Sequence, residues 1–254
     1  MATTPAPWPA NRLRIGCAGW AIGREHSAQF PDGASALARY ATRFSAVEIN
    51  SSFYRPHQQK TYARWAAAVP EDFLFSVKLP KTVTHAARLV KTAPLLDAFI
   101  DQTQGLGNKL GCLLVQLPPS LAFDARVAAT FFGMLRRRWD GAVVCEPRHA
   151  SWFSPGREAF WQRHAIARAG ADPAPCPGGR HPAGAASVRY WRMHGSPHMY
   201  YSAYDDAALS ALASAIVGDP ASTEVVGWII FDNTALGHAI PNAFRLKTLM
   251  LEYD

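Results

Sequence analysis

The stretch AVVCEPRHASWF, residues 142–153, decides the architecture, because it runs from a buried strand directly into an acid, a base and a histidine. Residues 142–145 are short, apolar and rich in β-branched side chains, and Pro147 ends any regular ladder. Alternate residues of a strand share a face, so Glu146 and Arg148 project on the same side as Ala142 and Val144. One end of that strand is chemically loaded, and the rest of the chain repeats the arrangement.

Working outward, further strands are expected at 13–19, 46–50, 73–79, 111–117, 188–195 and 225–231, with a weaker one at 164–172 made of Ala, Gly and charge. Helical spacing falls between them, at 34–42, 58–68, 94–104, 156–163, 205–217 and 242–251. Asp124 reads as the N-cap of another helix, with Arg136 to Arg138 at its C-terminus. Residues 51–57 read as an aromatic and polar loop, and the Pro- and Gly-rich segment 173–186 as a surface excursion or lid. Eight strands alternating with helices predict a single (β/α)8 TIM-barrel-like domain over 13–254, after a Pro- and Thr-rich tail at 1–12 that reads as disordered.

Composition fits one such domain. The 254 residues are 49% hydrophobic, enough for a full-sized core. No apolar run approaches the roughly 18 residues of a membrane span. The N-terminal residues have no signal-like hydrophobic core, so the expectation is a cytoplasmic protein without a membrane partner. The net charge of +7 favours anionic partners in general: an anionic small molecule first, with nucleic acid as the other option. Cys17, Cys112, Cys145 and Cys176 form no closely spaced pair and read as structural. No glycine-rich phosphate loop is present, which disfavours ATP and NAD and leaves any cofactor unknown. Oligomeric state is not legible.

The candidate site follows from position. Glu48, Asn50, Lys78, Gln116, Glu146, Arg148, Asp172, Arg192, His194 and Asn233 fall at or just beyond the carboxyl ends of their expected strands, with His149 close by. Barrel enzymes place their chemistry on that rim. Lys78, Arg148 and Arg192 would hold a phosphate or carboxylate, and Glu146 and His194 would exchange protons. Glu48, Asn50, Gln116, His149 and Asn233 would contact the substrate. Lys78 reads either as a snorkelling side chain or as an imine-forming lysine. A metal on Glu48, Glu146, Asp172 and His194 is conceivable, but the spacing has no diagnostic pattern, and none is included. The competing reading is a structural network in which these charges neutralise one another.

Several ordered motifs together resemble the YecE-like family, also called domain of unknown function 72. They are IGCAGW (15–20), VEINSSFY (47–54), FLFSVKLPKTVTH (73–85), VQLPPSLAFD (115–124), CEPRHASWF (145–153), YWRMHG (190–195) and FDNT (231–234). The resemblance implies a TIM-barrel-like fold and brings no activity with it. The leading functional expectation is therefore an enzyme, a hydrolase or lyase, acting on a phosphorylated or otherwise anionic small molecule at the rim. Nucleic-acid binding or processing, and a non-catalytic metabolite sensor or partner-binding barrel, stay open beside it.

Overall fold

The computed structural model describes residues 12–185, 188–219 and 225–253. The expected tail lies almost wholly outside them. In chain order the elements are β1 (Leu13–Ala18), α1 (Ala36–Ala41), β2 (Ala46–Ile49), α2 (Ser51–Tyr54), α3 (Gln59–Ala67), β3 (Leu74–Lys78), α4 (Ala93–Thr103), β4 (Leu110–Gln116), α5 (Ala125–Arg136) and β5 (Ala142–Glu146). Then come α6 (Arg157–Arg163), β6 (Ala167–Arg168), β7 (Gly170–Asp172), β8 (Ala183–Gly184), β9 (Val188–Met193), α7 (Asp206–Val217), β10 (Val226–Phe231) and α8 (Ala239–Leu251).

The sheet runs β7-β9-β10-β1-β2-β3-β4-β5-β6-β8, parallel throughout except for β8, which lies antiparallel on β6. Because β6 and β7 are consecutive in the chain, one pairing with β5 and the other with β9, the sheet curls into a barrel. The expected strand at 164–172 is thus two short pieces around Ala169, whose N–H still donates to the Cys145 carbonyl at 2.8 Å. It starts late because His164 ends α6 and Ala165 takes a positive φ of 52°. The excursion at 173–186 is not all loop. Its β8 reaches the barrel through Gly184 (φ 79°), where a Cβ would lie 2.5 Å from the Ile166 carbonyl oxygen. Residues 51–57 also differ from expectation, since they contain the single turn of α2.

Helix starts follow local chemistry: Asp124 accepts from Val127 N–H and Asp205 from Ala208 N–H, capping α5 and α7. Around the barrel the helices bury one continuous apolar layer against the outward strand faces, including Phe75, Leu113, Val143 and Ile229. Inside the barrel a second, smaller apolar cluster holds Ala46, Cys112, Leu114, Val144, Ala167, Ala169, Val188, Tyr190, Trp228 and Ile230. Trp228 stacks on Tyr190 with ring centroids 5.9 Å apart. Its indole fills the space opposite Gly111, where a Cβ would come within 2.6 Å of the ring. Burial pushes the thiols of Cys17 and Cys112 up to about 12, so they behave as packing residues.

Candidate functional site

Following each strand two residues beyond the apolar interior leads to ionisable side chains. Glu48 continues the inward face of Ala46, Glu146 that of Val144, Arg192 and His194 that of Tyr190, and Asp232 that of Ile230. All are buried. Because the strands are parallel, these positions gather at one end of the barrel.

Arg192 is the centre. Its Nε donates to Glu48 Oε2 at 2.9 Å and its Nη2 to Glu48 Oε1 at 2.5 Å, a two-point fork. Nη1 donates to Glu146 Oε2 at 2.6 Å, and Nη2 also reaches Asp232 Oδ2 at 2.9 Å. Tyr190 donates its hydroxyl to Glu48 Oε2 at 2.8 Å, and Ser76 Oγ lies 2.9 Å from that Tyr190 hydroxyl. One guanidinium therefore holds three carboxylates, and no edge of it is open.

His194 bridges the two outer carboxylates: Nε2 lies 2.9 Å from Glu146 Oε1, and Nδ1 lies 3.1 Å from Asp232 Oδ2. In the Nδ1–H tautomer His194 donates to Asp232, and its Nε2 lone pair faces the Arg148 Nη2 donor as well as Glu146. Arg148 completes the corner, with Nη2 2.7 Å from Glu146 Oε1 and 3.0 Å from His194 Nε2. Its Nε has no hydrogen-bond partner, and Nη1 lies 3.6 Å from Met199 Sδ. Lys78 enters from β3 on the same face as Ser76 and sets its ammonium 4.3 Å above the Phe53 ring.

The electrostatics follow from this arrangement. Burial alone would raise Glu146, but Arg148, Arg192 and His194 outweigh it and hold the carboxyl well below its ordinary range. Asp232 is lowered too, burial being overcome mainly by Arg192 and His194. Lys78 moves the other way for a cation. Burial first, then repulsion from Arg192, bring it down to about 8 in spite of the nearby carboxylates.

A loop over residues 195–204 covers part of the ring. Tyr200 N–H donates to the His194 carbonyl, and the two rings meet edge-on at 5.8 Å. Tyr204 anchors this loop, accepting from Gly195 N–H at 2.9 Å and donating towards Asp172 O and Oδ1 at 3.0 and 3.1 Å. Asn233 Nδ2 donates to the Ser202 carbonyl and to Asn242 Oδ1. Beyond the loop a cleft of about 580 Å³ opens between β9 and α7, lined by Arg180, Trp191, Met193, Tyr204 and Leu212 among others.

The expected site residues thus divide. Glu48, Lys78, Glu146, Arg148, Arg192 and His194 come together, and Asn50 reaches Asp232 Oδ1 at 3.4 Å. Asn233 and Asp172 serve the covering loop, and Asp172 also pairs with Arg180 at 2.8 Å. His149 caps the short turn after β5 by accepting from Ser151 N–H. Gln116 stands beside Glu146 in the β4–β5 register. Asp232 belongs to the ring and was passed over for its neighbour Asn233. Strand alternation would have found it, because 228, 230 and 232 share the inward face. Among the described residues no three His, Cys, Asp or Glu side chains are set to hold a metal ion. Away from the rim, Arg136 donates to the His164, Gly141 and Ala165 carbonyls, and Arg138 pairs with Asp97 at 2.6 Å. Two members of the basic cluster at the end of α5 are engaged in this way. No helix among the described residues is long and apolar enough to cross a membrane.

Comparison with known proteins agrees with this architecture. A family model described as protein of unknown function DUF72 matches residues 14–253. The chain is 29% identical to UPF0759 protein YecE of Escherichia coli K12 over 127 residues, covering 50% of this chain and 46% of the relative. It is 30% identical to UPF0759 protein YunF of Bacillus subtilis 168 over 154 residues, 56% of this chain and 53% of the relative. The matched stretches span about half the length of these relatives. Among solved structures, a DUF72 protein from Enterococcus faecalis V583 superposes with a TM-score of 0.78 at 19% identity, covering 94% of this chain and 95% of the other. One from Thermotoga maritima MSB8 gives 0.77 at 22% identity, covering 94% and 99%. These two likenesses are likenesses of fold.

Proposed function

We propose, from the premise that this chain belongs to the DUF72 family and has its TIM-barrel-like fold, that it is an enzyme, a lyase or hydrolase, acting on a phosphorylated or otherwise anionic small molecule at the C-terminal rim. The supporting observation is how exposure divides the ring. Arg192 and Glu48 are sealed at 0%, whereas the side chains of Arg148 and Asp232 keep 9% and 10% of their surface and Lys78 keeps 7%. Two cations and one carboxylate of the ring therefore keep some contact with solvent.

Arg148 and Lys78 bind the anionic group, Arg148 through the guanidinium hydrogens that Glu146 does not engage. Charge in a largely buried setting acts more strongly than on an open surface. Asp232 Oδ2 is held by Arg192 and His194, while Oδ1 meets only Asn50 at 3.4 Å. Kept ionised by its neighbours, Asp232 is the base that takes a proton from substrate or water. His194 stands one hydrogen bond behind it and Glu146 one further, and the three exchange protons. Arg192 has all its edges committed to carboxylates, so its part is to position Glu48, Glu146 and Asp232 and not to touch the anion.

A thermal-shift titration with inorganic phosphate, sugar phosphates and dicarboxylates tests this reading. A saturable rise in Tm for the parent that Arg148→Ala mostly abolishes is the expected result. No rise, or an equal rise in both proteins, would leave a structural charge network as the better account.

A further inference from the structure

We infer that Lys78 is a carbonyl-reactive lysine: its ε-amine forms an imine with an aldehyde or ketone, so the substrate of this rim is an anionic carbonyl compound. The inference deepens the proposed function and rests on it for the anchoring of the anionic group by Arg148.

The argument begins with what Arg192 does to its surroundings. Three carboxylates share the ring with Lys78, yet all three lean on Arg192, at 2.5, 2.6 and 2.9 Å. Among the described residues no carboxylate oxygen pairs with Lys78 Nζ and no side chain hydrogen-bonds it. Its neighbour is the face of Phe53. A lysine kept for structure would be expected to hold a counter-ion at this depth, because an unpaired buried ammonium is costly. Here the counter-ions are drawn away by a second, stronger cation. That leaves the amine buried against the Phe53 ring without a paired counter-ion at the C-terminal end of the barrel, with a base in the same ring. Such a setting favours the neutral, nucleophilic amine. The downward shift to about 8 agrees with the geometry.

The chemistry balances with the groups present. The amine lone pair of Lys78 attacks the carbonyl carbon as the C=O π electrons pass to oxygen. A proton transfer from nitrogen to oxygen, carried by Asp232, gives the carbinolamine. Loss of the hydroxyl as water yields the imine, so one water leaves for each C=N bond formed. Once protonated, the iminium has the charge of the ammonium it replaces and lies over the same Phe53 ring.

The test incubates the full-length protein at pH 7.5 with glyoxylate, pyruvate, dihydroxyacetone phosphate or neutral glycolaldehyde. Borohydride reduction, intact mass and peptide mapping then locate the secondary amine. The expected result is one adduct per chain at Lys78, formed about tenfold or more faster than at exposed Lys81 and Lys91, and rising with pH to a plateau above about 8. Lys78→Arg should lose the adduct while keeping its circular dichroism spectrum. Arg148→Ala should slow labelling by the anionic probes and leave glycolaldehyde unaffected. Labelling at Lys78 no faster than at Lys81, or none at all, overturns the inference. A phosphate-induced Tm rise that needs Arg148 in a protein whose Lys78 stays unlabelled would overturn the imine alone. Labelling of Lys78 by glycolaldehyde with no anion effect anywhere would uphold the imine and overturn the anion site.

Discussion

The barrel interior contains two unlike layers on the same strands. Below lie Cys112, Leu114, Val144, Val188, Trp228 and Ile230; above lie Glu48, Lys78, Glu146, Arg192, His194 and Asp232. A step of two residues along a strand, about 6.6 Å, separates them. The lower layer is held by non-directional packing, in which volume-conserving apolar exchanges cost least. The upper layer depends on which group faces which, because each carboxylate there is buried and needs its own donors. Tyr190 belongs to both, its ring stacked on Trp228 below and its hydroxyl on Glu48 above. A barrel of this kind thus keeps its stability core and its chemistry apart by register alone.

Removing the centre of the upper layer should break this contrast most severely. Arg192→Met leaves three buried carboxylates without their shared cation, and a loss of about 3–5 kcal/mol at pH 7 is expected in urea denaturation. The sign with pH is definite. Glu146 and Asp232 have folded pKa values below their unfolded ones, so in the parent their contribution is present above the unfolded value and is lost as pH falls through the folded one. In the variant that depression is reduced, because Arg148 and His194 alone act on Glu146, and His194 and Lys78 on Asp232. The gap between the two proteins should therefore narrow as pH falls below about 4, near the unfolded values. A loss under about 1 kcal/mol, or one indifferent to pH, would mean the ring is not the unit described.

The lower layer supplies the matched control. Leu114→Ala should cost about 3 kcal/mol through lost contact and a residual cavity. That cost should be the same at pH 4 and pH 7, because no titrating group changes partner. A cost that depends on pH would show the layers to be coupled rather than stacked.

The smallest expected effect has the opposite direction. Lys78 titrates near 8 in the folded chain against 10.5 ordinarily, so its burial penalty is full below pH 8. Between 8 and 10.5 the unfolded chain retains a proton that the folded chain has released, and the penalty fades. Lys78→Met should accordingly stabilise the protein by about 1 kcal/mol at pH 7 and have little effect near pH 10.5. Destabilisation at pH 7 would identify Lys78 as part of the structural network and sharpen the boundary of the open site.

Much of this was legible in the sequence, for definite reasons. Strands β1 to β5, β9 and β10 were found because apolar alternation and Gly or Pro stops mark them. The same alternation put Glu146, Arg192 and His194 on the inward face. The sixth strand was only half legible, since Ala167 to Asp172 offers small side chains and its break at Ala169 has no local signal. The division of labour within the ring was not legible. That Arg192 is sealed while Arg148 keeps some contact with solvent depends on contacts between residues 144 and 40 apart in the chain, which no local pattern encodes. Asp172 and Asn233 sit at strand ends like the others, and only the path of the 195–204 loop shows what they hold.

The Arg192 fork also bears on how the barrel assembles. A chain emerging from the ribosome exposes Glu48 and then Glu146 well before Arg192, which is 144 residues beyond the first and 46 beyond the second. A half-barrel formed from β1 to β5 would have to bring Glu48 and Glu146 into its own interior without the one guanidinium that pairs with both. Partial closure is thus penalised until β9 arrives. The guanidinium then acts as a keystone, so that folding of this chain should be late, concerted and governed by contacts of high sequence separation.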